Sequence, residues 1–239
     1  MSTLLLIRHG QASFFGGDYD RLSPLGRLQA RRIGEFLADA APPPDRVFVG
    51  PLRRHRQTAE EAGSAFLARA GTWPEPLLVE ELAEHEAPAV MKSILALDEA
   101  SGNGGLDMPE IHEPEARTRI IREYFRRWEQ VSRRWIAGEF PDLPHEPWHR
   151  ARARAARALT LMTADSGAGE TRVAFSSGGL ICMILGDLLG LDDQRVFDLS
   201  LTLGNGAIVE IRYSGTRRSL AGFNLRHHLA GNEDLHSMV

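Results

Sequence analysis

Four short stretches gather side chains that could handle an anion. In "LLLIRHGQAS" (residues 4–13) an apolar run ends on Arg8, His9 and Gly10. In "GPLRRHRQTAE" (50–60) Arg53, Arg54 and Arg56 surround His55. "EELAEHE" (80–86) supplies four carboxylates, Glu80, Glu81, Glu84 and Glu86. In "TRVAFSSGGLICMIL" (171–185) a second apolar run ends on Ser176, Ser177, Gly178 and Gly179. Phosphoryl transfer asks a protein chiefly for position and for positive charge around three equatorial oxygens. Guanidinium groups meet those oxygens with bidentate forks that an ammonium lacks. A neutral imidazole is a competent nucleophile near pH 7, and a carboxyl group can protonate a departing alkoxide. All three kinds of group are present.

The elements that must position them follow from the apolar pattern. A strand at Thr3–Ile7 leads into a polar loop from Gly16 to Asp20. "LSPLGRLQARRIGEFLADA" predicts a helix with Ser23 as N-cap and Pro24 as its first residue. Its Leu25, Leu28, Ile33, Phe36 and Leu37 recur at helical spacing. "RVFVG" predicts a second strand, a helix starts at Pro51, and "PLLVEELAEHEAP" is a third strand running into a loop. Two amphipathic segments, Val90–Asp98 and Glu115–Ala137, flank "SGNGGLDMP" in a passage (86–147) that reads as a helical insertion. A helix at Trp148–Thr163 precedes the "TRVAFSS" strand and a helix from about Leu180 to Leu189; "LGNGAIVEIRYSG" and "RRSLAGFNL" close the chain as a strand pair. Strands alternating with helices predict one α/β domain over residues 1–239. Its expected form is a three-layer sandwich, a mainly parallel sheet with helices on both faces and the insertion over the site. Ligands of open α/β sheets bind beyond the carboxyl ends of strands. "RHG" and "SSGG" both fall there, and they meet only if their strands are neighbours.

The stretches "RHG", "LSPLGRLQA", "GPLRRHRQTAE" and "LAEHE", in this order, resemble the histidine phosphatase (phosphoglycerate-mutase-like) superfamily. Its pattern is an RHG strand end, a helix of the type LTxxGxxQA, an SxLxRAxQTA stretch and an LxE acid. The resemblance implies that His9 is the nucleophile and forms a phosphohistidine, with Arg8 binding the phosphoryl oxygens. By register it implies that Arg54, not Arg53, is the second phosphate-binding arginine, and that Glu84 is the general acid/base. No cofactor is implied. In the family the late strand ends in an SHGG-like stretch whose histidine bonds the phosphoryl group; here Ser177 stands in that place. Its hydroxyl can donate one hydrogen bond, and Gly178 and Gly179 offer backbone N–H groups at a helix N-terminus. His55, His85 and His112 are candidates to fill the gap, each read in the first instance as a surface residue. Ser177→His is expected to quicken phosphorylation at a cost in stability. A family Asn is replaced by Phe15, with Ser13 the nearest polar substitute for phosphate binding. The mutase signature YGxLxGxxK is absent after Glu84, which argues against a mutase.

The leading expectation is therefore a metal-independent phosphatase acting on a small phosphorylated metabolite. An impaired member that binds a phosphorylated ligand or protein is the alternative. A serine hydrolase using Ser177 fits less well, since its elbow pattern G-x-S-x-G would need glycine where Phe175 stands. No H-x-x-x-H pair or Cys/His cluster suggests a metal site. Across 239 residues the net charge is −4, which disfavours nucleic acid as the main ligand. No apolar run reaches membrane-span length, "LLLI" is too short for a signal-peptide core, and the protein is expected to be cytoplasmic. The expected partner is a small phosphorylated substrate, without nucleic acid or membrane; the sequence sets no oligomeric state. The single cysteine, Cys182, reads as an inert core thiol. Substrate specificity is expected from the 86–147 insertion. There Trp128, Trp135 and Trp148 (just past its end) could wall a pocket, or simply pack helices.

Overall fold

Strand β1 (Ser2–Arg8) is the reason the rest of the sheet can close around "RHG". Leu4, Leu6 and Ile7 are fully buried, so both faces of the strand are covered. A near-continuous apolar run is what such a strand requires. The computed structural model describes residues 1–13, 20–40, 43–100, 114–231 and 235–237. Six strands form one sheet in the order β3-β2-β4-β1-β5-β6, with β2 at Arg46–Val49, β3 at Leu77–Leu78 and β4 at Thr171–Ser176. Strands β5 (Ile208–Ser214) and β6 (Arg217–Leu225) follow. The pairings among β3, β2, β4 and β1 are parallel; β5 and β6 add antiparallel ribbons beyond β1. The mainly parallel α/β sheet expected from the sequence is the one observed.

Helices α1 (Pro24–Ala40) and α2 (Arg53–Ala70) pack on one face, where Ile33, Leu37, Ala62 and Phe66 meet Ile7, Val47, Val173 and Phe175. Ser23 caps α1 as expected, its Oγ accepting the Gly26 N–H at 3.0 Å. On the other face Arg172 of β4 is fully buried, and its guanidinium donates to the carbonyls of Met162, Ala164 and Asp165 and to Glu170. Those carbonyls end helix α5 (Trp148–Thr163), which is thereby tied to the sheet. Three local expectations need correction. Helix α2 starts at Arg53, not Pro51, because Leu52 offers no capping side chain and the remote Asp20 carboxylate accepts the Arg53 N–H at 2.8 Å. The third strand is only two residues long and turns at once into a 3₁₀ helix, Glu80–Leu82. Helix α6 (Gly178–Leu189) begins two residues before Leu180 and is followed by α7 (Asp193–Ser200), a short helix the apolar pattern does not announce. Asp192 caps α7 by accepting the Arg195 N–H at 2.8 Å.

Met1–Glu84 with Arg152–Val239 make one compact unit, and His85–Ala151 a second. The second holds α3 (Ala87–Ala100) and α4 (Pro114–Ile136). Within it Trp135 and Trp148 are buried and meet edge-on at 5.5 Å between ring centroids, with His85 against both. These two tryptophans are packing residues of that unit. Arg134 bridges Asp98 and Glu139 and lies over the Phe140 ring. No described helix is long and apolar enough to cross a membrane.

A close backbone approach in the first unit lies between Gly10, after β1, and Gly26, in the first turn of α1. A Cβ on Gly10 would sit 2.2 Å from the Gly26 carbonyl oxygen, and one on Gly26 would sit 2.1 Å from the Gln11 carbonyl oxygen. Both obstacles are backbone, so neither can swing aside. Gly26→Ala should therefore cost about 1–3 kcal/mol, the usual range for overpacking, and displace the loop that carries His9. Urea unfolding checks this, and an alanine variant as stable as the wild type would contradict the close contact.

Candidate active site

The parallel pairing of β1 with β4 sets Arg8 opposite Ser176, so "RHG" and "SSGG" emerge side by side. The His9 N–H donates to the Ser176 carbonyl at 2.9 Å, and the His9 carbonyl accepts the Gly206 N–H at 3.1 Å. Motif side chains then fix the loop beyond. Thr58 accepts the Gly10 N–H at 3.2 Å and donates to the Arg54 carbonyl at 2.7 Å. Gln29 accepts the Gln11 N–H at 2.8 Å, and Gln57 the Leu22 N–H at 2.9 Å. The glutamines of "RLQA" and "RQTA" thus act on the backbone of the loop after β1.

His9 is buried, at 4% exposure. Its Nδ1 lies 2.7 Å from the Gly10 carbonyl oxygen, an acceptor, which assigns the proton to Nδ1. Nε2 is then the lone-pair nitrogen, and it accepts the Arg54 Nε–H at 3.1 Å. Burial, then the charges of Arg54 and Arg8, hold this imidazole well below the ordinary histidine pKa. His9 is therefore neutral at pH 7, the form in which it can attack.

Arg54 is buried on α2 while Arg53 is exposed. Asp20 orients it, with Nη1 to Oδ1 at 2.8 Å, and its Nη2 reaches the Ser177 hydroxyl oxygen at 3.4 Å. Arg8 donates through Nη1 to the Leu203 carbonyl and runs beside Gly178, where a Cβ would come within 3.2 Å of its Nε. Glu84 accepts the Gly179 N–H at the start of α6, at 3.2 Å. The segment bearing it is pinned by Arg154, which donates to the Glu81 and Ala83 carbonyls, and by Ser176, whose hydroxyl donates to the Leu82 carbonyl at 2.8 Å.

Of the residues singled out in the sequence, His9, Arg8, Arg54, Glu84, Ser177 and Gly178 converge on the ends of β1 and β4. Ser13 does not join them: its backbone N–H bonds the Arg21 carbonyl, and no hydrogen bond among the described residues links it to the cluster. Phe15 and His112 lie outside the described residues. His55 requires a correction. It is no surface residue but fully buried, with Nε2 2.6 Å from Ser177 Oγ and its ring centroid 5.8 Å from that of His9. An imidazole introduced at 177 would collide with the one already there. Asp20, Thr58 and Arg154 were not legible as site residues, although Asp20 closes the Gly-rich loop and Thr58 belongs to the "QTA" motif. Cys182 is buried, and burial pushes its thiol up to about 12. Among the described residues no group of three or more His, Cys, Asp or Glu side chains is arranged to hold a metal ion.

The sequence matches the profile of the histidine phosphatase superfamily (branch 1) over residues 4–86 and 109–226. The chain belongs to this superfamily. A 2,3-bisphosphoglycerate-dependent phosphoglycerate mutase of Thermobifida fusca (strain YX) is 41% identical over 83 residues. That match covers 30% of this chain and spans only about a third (34%) of the mutase. Among solved structures, a phosphoserine phosphatase from Entamoeba histolytica aligns over 96% of this chain and 100% of its own, with a TM-score of 0.63 at 20% identity. A mycobacterial glucosyl-3-phosphoglycerate phosphatase aligns over 93% and 98%, with a TM-score of 0.57 at 21% identity. At such identities the two structures establish that this chain shares their fold.

Buried neutral imidazoles make the protein acid-sensitive. His55 is lowered to about 3 by burial and then Arg54, and His228 to about 4 chiefly by burial; His9 is lowered likewise. Unfolded, each would titrate near 6.5. Below that pH the unfolded chain binds more protons than the folded one. Their contribution is therefore complete above about pH 6.5 and lost as pH falls through the folded values, about 4 for His228 and about 3 for His55. Each histidine adds a limiting slope of ~1.4 kcal/mol per pH unit. Urea titrations at pH 7, 6 and 5 should show the decline, and a flat profile would contradict neutral burial.

Proposed function

We propose that this protein is a metal-independent phosphatase that hydrolyses a small phosphomonoester through a phosphohistidine at His9. The observation that carries the reading is the Nε2 of His9, unprotonated and facing a buried arginine. A phosphoryl oxygen is a stronger, charge-assisted acceptor for the Arg54 Nε–H than a neutral ring nitrogen. Substrate binding would therefore draw that donor away and free the lone pair. Nε2 then bonds to phosphorus while the P–O ester bond breaks, and Glu84 in its acid form gives its proton to the departing alkoxide. In the second half, the Glu84 carboxylate takes a proton from water, the oxygen attacks phosphorus, and the N–P bond breaks to release phosphate and neutral His9. Arg8, Arg54 and the backbone at the start of α6 supply the fixed positive potential that the transition state needs.

The phosphatase names of the two structural relatives support hydrolysis over mutase chemistry. So does the absence of the mutase signature after Glu84. The phosphoserine and phosphoglycerate chemistry in those names supports a small phosphorylated substrate. The reading includes a soluble, cytoplasmic protein without nucleic-acid or membrane ligands. A second reading, binding without turnover, is favoured by one observation: Ser177, where the family has a histidine, is a hydroxyl that cannot carry charge.

An assay with p-nitrophenyl phosphate separates the two. Turnover should survive a chelator and disappear in His9→Ala. Arg54→Ala should lose about 10²–10³-fold, the usual effect of removing an oriented transition-state donor. Arg53→Ala, changing an exposed side chain, should stay within about threefold. Equal activity of wild type and His9→Ala would overturn the mechanism. An Arg53 loss larger than that of Arg54 would show that the wrong guanidinium has been assigned to the phosphate.

A further inference from the structure

Two departures from the family pattern meet in space. Ser177 stands in place of the histidine of the SHGG-like stretch, and His55 stands where the SxLxRAxQTA pattern has alanine. The sequence separates them by more than a hundred residues, yet His55 Nε2 is 2.6 Å from Ser177 Oγ, and both residues are fully buried. Arg54, next to His55 on α2, contacts His9 Nε2 through Nε and Ser177 Oγ through Nη2. The serine hydroxyl therefore lies on the side of His9 from which a phosphoryl group would be held.

The environment of His55 decides which partner donates. Its Nδ1 is buried, has no hydrogen-bond partner among the described residues, and packs against Gly50, where a Cβ would come within 2.3 Å of it. A buried N–H left without an acceptor is rarer and costlier than a bare ring lone pair. The proton therefore belongs on Nε2, which donates to Ser177 Oγ. With the His55 and Arg54 N–H groups both aimed at that oxygen, its two lone pairs are engaged. The hydroxyl proton remains to be given away.

We propose that His55 is a positioning residue which makes Ser177 a fixed, neutral hydrogen-bond donor to the phosphoryl group carried by His9. The imidazole the family places at the end of β4 has in this chain moved to the neighbouring helix, and it acts through the serine. The inference rests on the phosphohistidine reading above. Burial and the Arg54 charge keep His55 neutral, so the device supplies direction and not charge.

The test is a double-mutant cycle with an exchange, read as single-turnover formation of phospho-His9 from p-nitrophenyl phosphate, with thermal unfolding run alongside. Ser177→Ala and His55→Ala should each slow phosphorylation about 10²-fold, with kcat reduced and KM little changed. The double alanine variant should be no more than about threefold slower than either single one, because both remove the same donor. Ser177→His alone should be poorly folded or slow, since two imidazoles would compete for one space. His55→Ala with Ser177→His, which removes one imidazole and supplies the other, should recover to within about tenfold of wild type. Losses that multiply, an exchange no faster than His55→Ala, or phosphate found on Ser177 would overturn the inference while leaving phosphatase activity intact. A wild type that never labels at His9 would instead overturn the phosphohistidine reading, and this inference with it.

Discussion

The bond between His9 Nδ1 and the carbonyl of its own neighbour, Gly10, is the constraint on which the site depends. A histidine in water exchanges its proton freely between two nitrogens. Committing the proton to a backbone acceptor leaves Nε2 as the only nitrogen able to attack, and burial keeps it from being protonated. The carbonyl can serve only if the chain after β1 turns sharply. That turn is held by the backbone approach of Gly10 to Gly26 and by Thr58, Gln29 and Gln57. Residues of α1 and α2 thus decide which nitrogen of His9 keeps the lone pair.

Charge is handled with the same economy of parts. Arg8 and Arg54 bring two cations to a buried histidine, an arrangement that would be costly without compensation. Asp20 answers Arg54 from the loop before α1 and also accepts the N–H of Arg53 at the start of α2. One carboxylate therefore caps a helix and orients a guanidinium. Ser177 and His55 extend the same network as neutral groups and add no third charge.

The fold was readable wherever a single run of residues carried its own signal. The apolar strands β1 and β4, the Ser23-Pro24 start of α1 and the doubly covered parallel core all follow from local pattern. Elements that depend on distant partners did not. The start of α2 is set by Asp20, thirty-odd residues earlier, and β3 is cut to two residues by the turn that delivers Glu84. On α2, the run Arg53-Arg54-His55-Arg56 reads as one polar stretch, yet only its middle pair is buried. Side-chain type cannot separate those faces; the neighbouring β4 does. His55 accordingly reads as a surface residue in the sequence, and its place beside Arg54 is the one signal to the contrary. Ser13, near His9 in sequence, has its backbone N–H paired to the Arg21 carbonyl.

The central claim is that the lone pair on His9 Nε2 is the nucleophile, with Ser177 only a donor. Rapid quenching of wild-type protein during turnover of p-nitrophenyl phosphate, followed by peptide mass spectrometry and NMR of the labelled peptide, reads the bonded atom directly. The account predicts acid-labile, alkali-stable phosphate on Nε2 of His9. Phosphate on Ser177 Oγ, or turnover with no covalent intermediate in single-turnover experiments, would contradict it.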